Sequence, residues 1–224
     1  NPVLTIGTQM TETLHQHNPK MSKEEARNIA LDKLRKVHIP SPEKRLDQYP
    51  HEFSGGMRQR IIIAIALLTG PELIIADEPT TALDVTVQKQ VLDLIKDRQQ
   101  QLDTAVILIT HDLAVVHQTC DLVNVMYAGR LIERAETKDL FNDPLHAYTR
   151  ALMKSIPATH SKGEALYTIP GTPPDLSVPQ LGCAFHERNT LGDQSLCLTE
   201  TPPELTELST GHYAQNCPGC LANR

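Results

Sequence analysis

Three polar residues follow apolar runs at positions where phosphate chemistry could take place. Asp77 and Glu78 come directly after residues 73–76, and His111 follows residues 105–109 with one threonine between them. Such short apolar runs predict strands buried on both faces of a parallel sheet, and ligands bind at the carboxyl ends of these strands. Asp77 could hold Mg²⁺, Glu78 could polarise an attacking water, and His111 could orient that water or contact a terminal phosphate. The alternative is that the two acids only cap the next loop.

A second candidate for phosphate binding is Ser54-Gly55-Gly56, which precedes a long apolar run at residues 61–68. The run predicts a helix buried on nearly every side, with the two glycines at its start. The first turn of a helix leaves backbone N–H groups unpaired, and the helix dipole favours anions there. Glycine would let a phosphate come close to the backbone. Taken alone, the same residues also fit a flexible loop with Ser54 as an ordinary N-cap.

These candidates need an α/β framework, which the hydrophobic pattern supplies. Ser22 to Glu25 reads as a capping box that opens a helix ending before Pro40, and Gly70-Pro71 should end the helix after Ser54. Residues 73–76, 105–109 and 122–127 predict three buried strands with helices between them, which indicates parallel βαβ units. Composition changes near residue 155, so we expect a packed α/β region at 1–155 and a smaller extension at 156–224.

Charge and composition exclude several classes of protein. The net charge of the 224 residues is −6 with both signs mixed, so no footprint for nucleic acid appears. The longest apolar run is far shorter than the ~20 residues of a membrane-spanning helix, and no signal peptide is recognisable. Four of the five cysteines fall in the last 42 residues. Without export signals, a metal or cluster site is a better interpretation than a set of disulfides. The four are Cys183, Cys197, Cys217 and Cys220.

The order of the motifs resembles the ATP-binding subunit of ABC transporters. Residues 53–57 resemble the signature motif of that family, with Phe53 for the usual leucine and Met57 for the usual glutamine. Residues 73–78 resemble Walker B with the catalytic glutamate, residues 82–84 the D-loop, and His111 the switch histidine. The resemblance implies a partial P-loop NTPase-type α/β domain with a helical subdomain and a small cysteine-containing extension. It implies ATP and Mg²⁺ as ligands, catalytic roles for Glu78 and His111, Mg²⁺ on Asp77, and nucleotide contacts from the remaining motif residues: Ser54, Gly55, Gly56, Met57 and Asp84.

One motif of the family is missing from the sequence. No Gly-x-x-x-x-Gly-Lys-Ser/Thr occurs, and that loop normally cradles the phosphates. The family's glutamine loop also normally lies just before a segment like residues 1–4. We therefore expect the C-terminal portion of a longer subunit, which would not hydrolyse ATP as it stands. In the family, two such subunits face each other head to tail, so residues 51–60 would serve the nucleotide of the partner.

Further stretches resemble the oligopeptide/dipeptide importer branch, among them residues 57–60, 125–130 and 146–152. That branch has a pattern of cysteines and one histidine in its C-terminal extension. This chain follows the pattern, with His212 as the histidine, except that Asn189 stands where a cysteine is expected. Cys220 is additional and could replace it. Relatives with the full pattern can bind an iron–sulfur cluster, so the resemblance implies a [4Fe-4S] cluster on the four thiols. Tetrahedral Zn²⁺ and unligated thiols remain open alternatives.

The resemblance implies a subunit that energises import of peptides or related solutes from the cytoplasmic face of the membrane. Its implied partners are a second ATPase subunit, identical or homologous, two transmembrane permease subunits and, indirectly, an extracytoplasmic solute-binding protein. Two other functions stay open: a soluble ABC ATPase without a transport role, and a truncated regulatory or binding pseudo-subunit.

Overall fold

The chain folds as two compact units, Asn1–His111 and Asp112–Arg224. The structure is a computed structural model that describes residues 1–81, 83–102, 104–156 and 167–223. Ala82, which lies in the predicted D-loop, is outside the described residues. The two units do not divide at residue 155, where the composition changes. A domain boundary at that residue stays a prediction.

Four helices and their caps build the first part of the first unit. They are α1 (Ile6–His17), α2 (Lys23–Lys36), α3 (Pro42–Arg45) and α4 (Gly55–Ala66). The predicted N-cap of α2 is confirmed, because the Ser22 hydroxyl accepts from the Glu25 N–H at 3.1 Å. Buried apolar side chains from these helices pack into one core, among them Met10, Ala30, Leu34, Leu46, Phe53 and Ala64.

Helix α4 begins directly after Ser54, as the sequence predicts. It ends at Ala66, and Gly70 follows with a φ of 62°, a left-handed conformation that glycine adopts without strain. The prediction that this helix is buried on nearly every side is wrong in one respect. Ile61 and Ile63 are buried, but Ile62 between them is 56% exposed. A helix that packs against a core on one side buries only the side chains that face that core.

The two glycines of α4 differ in their surroundings. A Cβ at Gly56 would lie 2.4 Å from Cγ1 of Val87, whereas a Cβ at Gly55 would meet only Cδ2 of Leu83 at 3.5 Å. We predict that Gly56→Ala lowers the free energy of unfolding by about 1–3 kcal/mol, because it overpacks this contact. Gly55→Ala should change it by less than about 0.5 kcal/mol. Urea unfolding of both variants measures the difference, and equal midpoints would contradict it.

A parallel βαβ unit completes the first unit, as predicted. Strands β1 (Leu73–Asp77) and β2 (Ala105–Ile109) pair in register, and α5 (Val85–Leu102) connects them. The prediction that these strands are buried on both faces is wrong, because alternate apolar side chains are exposed on one face. These are Leu73, Ile75, Ile107 and Ile109, which are 47–63% exposed. No element of the described first unit covers that face.

The second unit is built around an antiparallel sheet, which corrects the prediction of a third parallel strand. Strand β3 (Leu122–Tyr127) pairs antiparallel with β4 (Arg130–Glu136) in a sheet of order β3-β4-β6-β5. Only two residues, Ala128 and Gly129, separate β3 from β4, and both have positive φ, as a tight hairpin requires. The helices of this unit are α6 (Leu113–Thr119), α7 (Thr137–Asn142), α8 (Ala147–Lys154) and α9 (Pro218–Leu221).

The C-terminal segment contributes two strands to this sheet, which the sequence analysis missed. They are β5 (Leu205–Ser209) and β6 (His212–Gln215), and β6 pairs with β4. The carboxylate of Glu133 on β4 is fully buried and holds the arrangement together. It lies 2.8 Å from His212 Nε2 and accepts the N–H groups of Leu145 and His146. Loss of any of these bonds would leave a buried charge without a partner, which is costly. The carboxylate therefore fixes β6 and the start of α8 against β4.

Candidate functional site

The candidate hydrolytic site lies at the carboxyl ends of β1 and β2. The Glu78 N–H donates to the carbonyl of Ile109 at 2.9 Å, which extends the strand pairing by one residue. One carboxylate oxygen of Glu78 lies 2.7 Å from His111 Nδ1, and the other accepts from the Thr81 hydroxyl at 2.9 Å. The parallel pairing therefore brings Glu78 and His111 into direct contact.

Backbone and electrostatics both fix the Glu78 carboxylate. Its φ of 46° is rare for a residue with a Cβ, and such conformations cluster at functional sites because the surrounding structure must enforce them. The hydrogen bond with His111, followed by that from Thr81, lowers the pKa of Glu78 below its usual range. The group is thus ionised at neutral pH, the form in which it can accept a proton from water.

The other acidic residues of this region have different surroundings. Asp77 ends β1, pairs in register with Ile109, and is exposed to solvent, so its carboxylate is open to a ligand. Asp84 accepts the N–H of Val87 at 2.9 Å and caps the first turn of α5. Asp84 therefore has a structural role as a helix cap, and its role as a nucleotide contact stays a prediction.

The head of α4 has the geometry of an ordinary helix start. The Ser54 hydroxyl accepts from the Met57 N–H at 3.4 Å, which satisfies one of the N–H groups that a first turn leaves over. Gly55 and Gly56 form the first turn itself. Gly55 is exposed, so a ligand can approach this N-terminus, where the helix dipole favours an anion.

The second unit contains a group of four buried cysteines. The sulfurs of Cys183, Cys197, Cys217 and Cys220 all lie within 4.8 Å of one another, and none forms a disulfide. Cys183 Sγ is 3.5 Å and Cys197 Sγ is 3.9 Å from Cys220 Sγ. The one-turn helix α9 presents Cys220, with Cys217 at its N-cap. The structure thus brings together all four cysteines of the predicted site.

The sulfur spacing allows a test of what this group could hold. Four ligands at a Zn–S distance of about 2.3 Å in a tetrahedron stand about 3.8 Å apart, and the observed distances fall around that value. A [4Fe-4S] cluster places eight atoms among the same thiolates and requires the sulfurs to spread. Hydrogen bonds from Cys183 and then from the other two thiols lower the pKa of Cys217, while the pKa of Cys220 is raised, Cys183 first among the causes.

Three residues have contacts in the structure that the sequence did not predict. Thr81 follows Glu78 closely in the chain, and the loop conformation decides whether its hydroxyl reaches the carboxylate. Asn189 interrupts the expected cysteine pattern, yet its side-chain nitrogen lies 3.3 Å from Cys197 Sγ. His212 fits the cysteine–histidine pattern in sequence, but in the structure it contacts Glu133 and is not part of the cysteine group.

His146, the N-cap of α8, lies beside the cysteine group. Its Nδ1 accepts the Tyr148 N–H, and Nε2 has no hydrogen-bond partner among the described residues. Burial lowers the pKa of His146 to about 4, and a charge on Cys217 opposes the shift. The unfolded chain therefore binds a proton between about pH 6.5 and 4 that the folded chain excludes. We predict that this group leaves the free energy of unfolding unchanged above about pH 6.5, lowers it by up to about 3 kcal/mol as the pH falls from about 6.5 to 4, and has no further effect below about pH 4.

Urea unfolding at a series of pH values measures this effect. His146→Asn is the matched control, because asparagine keeps an N-cap acceptor but does not titrate. The decline in stability between pH 6.5 and 4 should be smaller in this variant. Identical pH dependence in the two proteins would contradict the assignment to His146.

Comparison with known proteins agrees with this geometry. The ABC transporter family model matches residues 2–81, and the model of the oligopeptide/dipeptide transporter C-terminal region matches residues 132–197. The chain is 50% identical over 217 residues to the oligopeptide transport ATP-binding protein OppD of Bacillus subtilis (strain 168), covering 96% of this chain and 60% of that protein. It is 55% identical over 188 residues to the dipeptide transport ATP-binding protein DppD of the same organism, covering 84% and 56%.

A solved structure gives the same result for the fold. The dimeric post-hydrolysis structure of the ATP-binding cassette MJ0796, bound to ADP and Pi, matches with a TM-score of 0.54 and 28% identity. The match covers 61% of this chain and 58% of that one. The fold and the motifs at the ends of β1 and β2 thus define part of an ABC-type ATPase cassette.

Within that class, the chain is similar to the ABC transporter ATP-binding proteins of the oligopeptide/dipeptide family. It spans about three-fifths of the length of the curated relatives it matches. None of the helices in the described part of the chain is long and apolar enough to cross a membrane.

Proposed function

We propose that this chain works in an ATP-hydrolysing subunit that energises import of oligopeptides, dipeptides or related solutes. The observation that carries the proposal is the Glu78 carboxylate, which His111 and Thr81 hold in a fixed orientation at the end of β1. A carboxylate ionised at neutral pH can accept the proton of an attacking water as the water oxygen bonds to the γ-phosphorus and the bond from that phosphorus to the ADP oxygen breaks. His111 keeps the carboxylate in position and its own ring is exposed toward a ligand.

Asp77 is the residue that would hold Mg²⁺, directly or through water. A bound Mg²⁺ would neutralise charge on the phosphates during transfer. Ser54 and Gly55 would present the dipole and N–H groups of α4 to a terminal phosphate, with Gly56, Met57 and Asp84 placed around it.

The phosphate at α4 would be that of a nucleotide held by a second ATPase subunit, a proposal that the dimeric ATP-binding cassette bound to ADP and Pi supports. Closure of the pair on ATP would drive two permease subunits, from a position on the cytoplasmic face of the membrane. The names of the relatives, which are oligopeptide and dipeptide transport proteins, support this choice of partner and solute. A solute-binding protein outside the membrane would deliver the peptide.

Transport by the reconstituted complex tests the proposal. A subunit that carries this chain together with a phosphate-binding loop should co-purify with its permease pair and take up a labelled peptide into vesicles only with ATP. Hydrolysis without any association with membrane components would favour a soluble ATPase. Absence of both hydrolysis and ATP binding would favour the regulatory pseudo-subunit.

We also propose that Cys183, Cys197, Cys217 and Cys220 hold one metal centre with a structural role. The convergence of four buried sulfurs from three separate segments supports it, because a shared ligand would crosslink the segments that carry them. Either four-coordinate Zn²⁺ or a [4Fe-4S] cluster would use all four thiolates. The sulfur spacing fits the single ion without rearrangement.

Metal analysis of anaerobically purified protein tests this second proposal. Iron in proportion to sulfide, with broad absorbance near ~400 nm, would identify a cluster. Stoichiometric zinc without colour would identify the tetrahedral ion. Protein that contains neither metal would contradict the shared centre.

A further inference from the structure

Asn189 is buried beside the cysteine sulfurs in a fully specified orientation. The residue is 4% exposed, and its Oδ1 accepts the Gly192 N–H at 2.9 Å. This bond determines which end of the amide is the oxygen, so the NH₂ group must face the other way. Nδ2 lies 3.0 Å from the Gly219 carbonyl and 3.3 Å from Cys197 Sγ, and Cys220 Sγ is 3.9 Å away. The two N–H bonds are therefore directed to one backbone oxygen and one sulfur.

The backbone around Asn189 is adapted to this close approach. A Cβ at Gly192 would lie 2.0 Å from the Gly219 carbonyl, and a Cβ at Gly219 would lie 2.6 Å from Cys197 Sγ. Asp193 N–H also donates to the Gly219 carbonyl at 2.8 Å. The loop that carries Cys197 and the turn that carries Cys220 thus meet backbone to backbone, and the Asn189 amide lies at their junction.

The chemistry of the site favours a neutral donor at this position. Four thiolates around one divalent ion leave a net charge of about −2 that is buried away from water, and such a charge needs partners. An amide N–H directed at a sulfur offsets part of that charge without adding a ligand. Hydrogen bonds to ligating sulfurs also orient them and adjust the properties of the centre.

We propose that Asn189 is a positioning residue of the cysteine centre, where it donates an N–H···S hydrogen bond to Cys197 and ties the Cys197 loop to the Cys220 turn. The inference rests on the metal centre proposed above. It reverses the sequence-based view of Asn189 as a missing ligand, because the four sulfurs already converge without a residue-189 thiolate.

Zn²⁺ titration of the reduced, metal-stripped subunit against a chromophoric chelator tests this role. Asn189→Asp keeps the shape but directs a carboxylate oxygen at the sulfur, and Asn189→Ala only removes the donor. We expect both to weaken Zn²⁺ binding by about 10- to 100-fold, with the Asp variant the weaker of the two. Asn223→Gly is the matched control, since the exposed Asn223 amide bonds the Gly192 carbonyl but no sulfur. It should bind Zn²⁺ like the wild type.

The outcomes separate this inference from the proposal on which it rests. Wild-type protein that binds no metal would contradict the centre itself. Wild-type affinity in both Asn189 variants would overturn the positioning role. An Ala variant that binds more weakly than the Asp variant would show that Asn189 acts by packing and not as a donor. If the Asp variant does not fold, an Ala variant equal in affinity to Asn223→Gly overturns the inference.

Discussion

Replacing Glu78 with glutamine should lower ATP turnover by about 10²-fold or more while ATP binding persists. Glutamine keeps the length and the shape of the side chain, so its oxygen can still accept from Thr81. It cannot take the proton of the attacking water. Turnover of the complete subunit pair and equilibrium ATP binding, measured on the same preparation, separate the two effects.

Glu72→Gln is the matched control for this experiment. Glu72 precedes β1 as Glu78 follows it, its side chain is exposed, and only its backbone carbonyl takes part in the strand pairing. The control should hydrolyse ATP at the wild-type rate. Near-wild-type hydrolysis by Glu78→Gln would show that another group activates water.

A carboxylate at Gly55 should abolish ATP-driven closure of the subunit pair. Gly55→Asp places negative charge at the N-terminus of α4, where a terminal phosphate must approach. The fold should tolerate it, because the nearest neighbour of a Cβ at this position is 3.5 Å away and an acid in the first turn favours a helix. We expect turnover to fall by at least about 10²-fold with unchanged stability.

Gly55→Ala separates charge from bulk in this experiment. Alanine adds the same Cβ without the carboxylate, so it should leave most of the activity. An equal loss of activity in the two variants would indicate that position 55 tolerates no side chain at all. Full activity in both would remove Gly55 from the site.

Local structure followed from the sequence wherever short-range physics decides it. The hydroxyl of Ser22 caps its helix as predicted, and the apolar runs before Asp77 and Thr110 form paired parallel strands. Parallel pairing then required Glu78 and His111 to share one edge of the sheet. The predicted site at this edge of the sheet depends on that strand pairing alone.

Long-range pairing did not follow from the sequence. Strand β3 has the same apolar pattern as a parallel strand, and the tight turn at residues 128–129 that reverses the chain into β4 went unrecognised. Strands β5 and β6 are short and polar, and β6 pairs with β4 across about 80 residues of chain. The role of Asn189 could not be predicted from the sequence either. A hydrogen bond to sulfur follows no fixed residue spacing and depends on how two loops meet.

The association state of the Glu78→Gln subunit with ATP tests the central claim most directly, namely that the head of α4 serves a nucleotide held by another subunit. Sedimentation of this variant, which binds ATP without consuming it, should show a dimer with ATP and a monomer without. Adding Gly55→Asp to the same chain should leave a monomer that still binds one ATP. A dimer of undiminished stability in the double variant would contradict the composite site.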